Sequence, residues 1–225
     1  MIRRTMCALV VASGLLTSTA LAQADAWQHK WYWGAQLGLM EFRTATSTGG
    51  QSGWQTAVTA GGHWFISGRR SALYVGYDQL FFKSSTTSAI VDPASATGIQ
   101  PVQFTEGRRI QALLYVVPMD GLLQPYFGGG FAIHQITDAA PPAGTTFATN
   151  AELQTVLQTV NQTSTKAFPV FSGGVQLRSG NLALFGQYQF MPTGRNFLID
   201  SGQHVFSAGL RYAVTGSRED VTSQQ

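Results

Sequence analysis

A chain of 225 residues has room for one domain. Only 11% of its residues are charged, against roughly 25% in ordinary soluble domains, so a water-facing surface is poorly supplied. The net charge is +3, and it drops by two once Arg3 and Arg4 of the leader are set aside, which excludes a charge footprint for nucleic acid.

Residues 1–22 read as a secretory signal. Arg3 and Arg4 give the basic start, residues 6–16 a short apolar core, and Ala20-Leu21-Ala22 a small-x-small cleavage site. An N-terminal anchor is the competing reading, but the apolar run is short and broken by Ser13 and Gly14. The only cysteine, Cys7, also lies here, so the mature chain has neither disulfide nor thiol chemistry.

From residue 31 onward the dominant signal is alternation with period two, which predicts strands. Residues 31–43 set Trp33, Ala35, Leu37 and Leu39 against Tyr32, Gly34, Gln36 and Gly38. A polar loop follows at 44–52. Residues 54–66 set Trp54, Val58, Ala60 and Trp64 against Gln55, Thr59, Gly61 and His63, and 67–70 is a short turn. Residues 72–83 form a third strand, with Leu73, Val75 and Tyr77 opposing Tyr74, Gly76 and Asp78; alternation fades at Leu80-Phe81-Phe82.

Residues 84–102 read as a long loop of Ser, Thr, Ala and Gly with two prolines. The fourth strand is expected over 103–117, a turn at 118–121, and the fifth strand over 122–136. Residues 137–165 form the longest loop. Within it Thr149 and Glu152 have capping-box spacing, and Leu153, Val156, Leu157 and Val160 make one apolar helical stripe. That helix packs over its own rim or offers a contact surface. Residues 168–191 read as a hairpin about Ser179-Gly180-Asn181, residues 193–202 as a loop, residues 204–214 as the last strand, and 215–225 as a polar tail.

The connections thus alternate long and short around eight strands. After residue 22 no stretch approaches the ~20 apolar residues of a spanning helix. Low charge without such a helix points to a closed barrel, which satisfies every backbone group between strands. In bacterial outer-membrane barrels the periplasmic turns are short and the extracellular loops long, a rule that places both termini in the periplasm. Trp31, Trp33, Trp64, Tyr115, Tyr126 and Tyr212 then make one aromatic belt, and Phe42, Trp54, Phe81, Phe104 and Phe190 the other. The rival, a soluble calycin-like barrel, needs a charged outer face that these strands lack.

The leader, the rhythm of strands and loops, and the final HVFSAGLRYAV strand resemble the small eight-stranded outer-membrane barrels of the OmpA, OmpX and OmpW type. The hydrophilic tail after that strand departs from the pattern. The resemblance implies an all-β, antiparallel, up-and-down transmembrane barrel in contact with outer-membrane lipid and lipopolysaccharide, and it transfers no active-site motif.

The candidate site residues are the inward polar groups: Gln36, His63, Asp78, Arg109, Gln111, His134, Gln176, Arg178, Gln187, Gln189 and Arg211. They form either a satisfied polar plug, in which Asp78 pairs with an inward arginine, or a constricted solute path. No catalytic, metal or cofactor set is identified. His204 and Ser207 are close in sequence but of opposite parity, four scattered histidines lack ligand spacing, and Gly128-Gly129-Gly130 is followed by no phosphate-loop Lys and Ser or Thr. The expected role is structural or surface-interacting, with a protein partner or surface ligand at the extracellular loops. A narrow channel for small or amphipathic solutes is the alternative, and a lipid-modifying enzyme comes third.

Overall fold

The computed structural model describes residues 30–48, 50–83, 86–92, 95, 98–119, 121–192 and 196–214. The leader 1–22, the tail 215–225 and Asp120 of the second short turn lie outside the described residues.

Among the described residues ten strands and one helix follow one another: β1 (Trp31–Phe42), β2 (Gln55–Ser67), β3 (Ser71–Phe81), β4 (Thr87–Val91), β5 (Ile99–Gln103), β6 (Glu106–Val116), β7 (Leu123–Ile136), α1 (Asn150–Thr163), β8 (Thr165–Ser179), β9 (Leu182–Met191) and β10 (Gln203–Val214). Eight of the strands close a barrel in the order β1-β10-β9-β8-β7-β6-β3-β2. Every pairing is antiparallel, and the seam joins the first strand to the last, from Trp31 opposite Val214 to Glu41 opposite His204. β4 and β5 pair with each other as a hairpin in the second long connection, and a single bridge ties Gln103 of β5 to Ala140 of the third.

This hairpin corrects the expectation of an irregular segment at 84–102. It also moves the start of the fourth barrel strand from 103 to Glu106, because Gln103 belongs to β5. The change of direction is fixed by Asp138, whose carboxylate accepts from the Thr105 and Glu106 amides at 2.8 and 2.9 Å and from the Thr105 hydroxyl.

The alternation read from the sequence is the in–out alternation of the barrel wall. Leu37, Leu39, Val75, Ile110, Leu114, Phe131, Phe171, Leu184 and Leu210 all point outward and are exposed. Apolar surface this continuous is a surface for hydrocarbon. Trp31, Trp33, Trp64 and Tyr212 stand outward at the short-turn end, and Trp54 and Phe81 outward near the long-loop end. Phe190, half-buried beside His204, shares that outer side, and four other belt residues need correction. Tyr115, Tyr126, Phe42 and Phe104 are buried, because their parity turns them into the barrel.

The interior is therefore layered rather than polar throughout. Toward the short turns Tyr32, Phe65, Tyr74, Tyr115 and Tyr126 pack ring against ring, with Tyr115 and Tyr126 centroids 4.9 Å apart. Toward the long loops lies an apolar lid in which Phe42 meets Phe82 at 5.3 Å and Phe82 meets Phe104 at 4.9 Å. Leu80 explains the fading alternation: it points into this apolar layer while Phe81 points outward, so both faces are apolar there. In the strand β7, Gly128 is a matter of room, since a Cβ there would run into the carbonyl of Leu114 on β6.

α1 begins as its sequence predicts. The Thr149 hydroxyl accepts from the Glu152 amide at 3.1 Å. The Glu152 carboxylate reaches back to the Ala148 amide at 2.7 Å, one residue before the cap itself. Only part of the stripe is used: Val156 and Val160 are buried in the lid cluster, Leu153 is half-buried, and Leu157 is exposed.

Candidate functional site

The buried polar residues gather into two main groups, one beside Tyr74 and one among the rings of the aromatic layer. Asp78 on β3 is the centre of the first. Its Oδ2 accepts from Arg109 Nη2 at 2.7 Å, Arg109 Nε at 3.1 Å and Gln111 Nε2 at 2.9 Å. Its Oδ1 accepts from Gln36 Nε2 at 2.6 Å. The same Gln36 and Gln111 amides approach the Tyr74 hydroxyl at 3.0 and 3.3 Å. Gln187 donates to Gln36 Oε1 at 3.3 Å and accepts from the Tyr126 hydroxyl at 3.3 Å, which extends the network across the lumen. Asp78 and Arg109 are fully buried and form an ion pair, so each charge is neutralised where water cannot do it.

Backbone shape makes this possible at Gly61, opposite Asp78 in the β2–β3 register. A Cβ on Gly61 would overlap the Asp78 carboxylate and the Tyr77 carbonyl. No other residue type leaves the space.

A second group is built on Arg211 of β10. Its Nε donates to His63 Nε2 at 2.9 Å and its Nη1 to Gln176 Oε1 at 2.8 Å, and Gln176 in turn donates to Gln124 at 2.9 Å. The guanidinium sits over the rings of Phe185 and Phe65, with Cζ 3.9 and 4.1 Å from their centroids. Cation–π attraction in a dry setting compensates for the missing carboxylate. His63 also stacks on Tyr74 at 4.8 Å, which joins the two groups.

The remaining inward residues flank these groups, and His134 lies directly opposite Arg109 in the β6–β7 register. His134 is buried against Phe168 and Phe197 at 5.7 and 6.3 Å, next to the lid. Arg178 is buried near the short turns beside Tyr32. Gln189 is buried in the lumen wall of β9.

At the other end of the molecule the four long loops converge on a cleft of about 560 Å³. β4 forms one wall, the C-terminal half of α1 another, and residues 196–200 a third, with Phe197 and Leu198 beneath. Leu198 is tied to the helix end by its amide, which donates to the Thr163 carbonyl at 3.2 Å.

No family model matches the chain, and no curated protein matches its sequence. Among solved structures it is similar to Neisserial surface protein A, NspA, with a TM-score of 0.55 and 13% identity over 82% of this chain and 97% of that one. The fold is that of the small eight-stranded outer-membrane β-barrels. Outer membrane protein OprG from Pseudomonas aeruginosa aligns over 84% of this chain and 99% of its own at 11% identity and a TM-score of 0.46. The attachment invasion locus protein Ail of Yersinia pestis aligns over 82% and 99% at 9% identity and a TM-score of 0.35.

In this outer-membrane-type barrel the sequence reading misses Tyr74, Tyr126 and Gln124 as members of the network. Parity carries the signal for the first, since Tyr74 lies four residues before Asp78 on the same face. His204 and Ser207 do part company: His204 meets the Tyr188 hydroxyl through Nδ1 at 2.7 Å on the outer face, and Ser207 is buried inside.

Proposed function

We propose that this chain is an integral outer-membrane protein whose barrel is a closed scaffold and whose long loops are the working surface, in a structural or surface-interaction role without catalysis. Residues 1–22 export it, both termini face the periplasm, and the apolar belt meets outer-membrane lipid, with lipopolysaccharide at the long-loop rim. The observation that carries this reading is the filled lumen. An aromatic layer with Arg211 among its rings, the Asp78 group and an apolar lid fill the barrel, each from buried side chains. An eight-stranded interior is just wide enough for side chains to fill, and a path for solutes needs space that this packing denies. The wall faces hydrocarbon and the lumen is closed, so the loops are the surface left for contact.

The test is single-channel conductance of residues 23–225 refolded in a planar bilayer, with folding verified by heat-shifted gel mobility. The expected result is a folded, silent barrel. Steady openings that change on replacing Asp78 or Arg211 overturn the reading in favour of a narrow channel.

A further inference from the structure

The hairpin β4–β5 has an edge that nothing described covers completely. Phe104 donates to the Thr86 carbonyl at 3.2 Å, and Asp92 to that of Gly98 at 2.9 Å. Even-numbered positions of β4 therefore face β5. Backbone groups in an antiparallel pair alternate sides, so Thr87, Ala89 and Val91 turn their N–H and C=O groups to the free edge. On that edge the Ala89 amide donates to the Ala45 carbonyl of the first long loop at 3.1 Å. Beyond that one bond the edge is open. Val91 is 72% exposed, and no described loop residue bonds its backbone across the edge.

This open edge forms a wall of the loop cleft. Exposed edges are ordinarily guarded by charge, proline or a bulge, yet β4 reads TSAIV and has none of these. Gln162 and Asn196 set side-chain amides among the other walls, and Asp200 is the only charged residue among the described lining. The open N–H and C=O of Val91, amides facing them and one carboxylate match a strand-forming polypeptide that carries positive charge.

We propose that the cleft binds an extended, basic peptide segment of a partner protein, which adds to β4 as a third strand. The segment takes up the lane that Ala45 begins, about 4.8 Å from β4, and bonds to the N–H and C=O of Val91. Gln162 and Asn196 bond its far side, and Asp200 receives a lysine or arginine. Backbone pairing supplies affinity and the side-chain contacts supply selectivity, as in other strand additions. This inference rests on the loops being the working surface.

The test uses the refolded mature chain in lipid nanodiscs and a displayed library of heptapeptides with a fixed central lysine. Enriched peptides are expected to slow hydrogen exchange at the Val91 amide. Their affinity is expected to fall at least tenfold on Asp200→Asn, which leaves the backbone untouched, and on Val91→Pro, which removes the N–H; Val91→Thr is expected to bind as before. The proposal is overturned by a library with no enrichment, by binding that ignores Asp200→Asn and Val91→Pro, or by protection of another surface. It is also overturned if Val91→Cys copies cross-link to one another, which makes the occupant a second copy of this chain. Conductance separates the two failures: a silent barrel whose cleft binds no peptide loses only this inference, whereas a conducting barrel loses the surface reading itself.

Discussion

Arg109 places two of its nitrogens on the same oxygen of Asp78, at 2.7 and 3.1 Å, and leaves the other oxygen to Gln36. The pair thus joins β3 to β6 at one oxygen and β3 to β1 at the other. The lumen is held by a carboxylate shared among three strands rather than by a simple ion pair.

Asp78→Ala leaves the Arg109 charge buried without its partner. Breaking one side of a buried pair costs about 3–5 kcal/mol, and a loss of this size is expected in urea unfolding of the protein in lipid vesicles. Replacing both residues, as Asp78→Leu with Arg109→Leu, is expected to restore most of it. A double variant as unstable as Asp78→Ala alone would rule out the charge explanation.

Gly61→Ala acts through the same carboxylate, since the new methyl claims the space of the Asp78 carboxylate. Its destabilisation is expected to be strongly non-additive with Asp78→Ala, as for residues in contact. The readout is a double-mutant cycle on the unfolding midpoint. Additive effects would mean that the clash with the Tyr77 carbonyl dominates instead.

Arg211 with Phe65 and Phe185 closes the lumen at a second level. Replacing Arg211 and Phe185 together by alanine removes two large buried side chains from one layer. The expected outcome is a folded barrel with brief, small openings in a planar bilayer, because the Asp78 group still stands in the path. Adding Asp78→Ala is expected to lengthen the openings.

The helix of the third long loop separates capping from packing. Thr149→Ala is expected to cost about 1 kcal/mol of local stability, seen as faster hydrogen exchange in the first turn of α1 while the barrel is unchanged. Val160→Asp puts a charge into the lid and is expected to loosen the whole loop. Leu157→Asp, on the exposed side, is expected to leave exchange as it was.

The barrel was legible because one physical rule governs its whole wall. Period-two alternation places Leu37 outside and Gln36 inside without any knowledge of neighbours. The rule states a side and not a chemistry, however. It did not reveal that Tyr115 and Tyr126 are core rather than belt, because an aromatic ring near a strand end suits either side. The β4–β5 hairpin was hidden because Ser, Thr and Ala next to Pro93 and Pro101 have the composition of a loop, and its strands are five residues each. Among the site residues, Gln36, Asp78, Arg109 and Gln111 were foreseeable as a set from parity and charge. The packing of His134 against Phe168 and Phe197 was not, since Phe197 reaches it from a loop 63 positions later.

The bond from Arg211 to His63 spans 148 positions, and a third partner, Gln176, lies on β8. Arg211 is on β10, the strand whose pairing with β1 shuts the seam. Until that strand arrives, His63 and Gln176 have no guanidinium to bond, and the aromatic layer has no cation between its rings. Zipping the last strand into place and seating the guanidinium among the rings are therefore one event. A barrel caught before closure lacks the Arg211 half of its filling, and a barrel that has closed has that half of its stopper already seated.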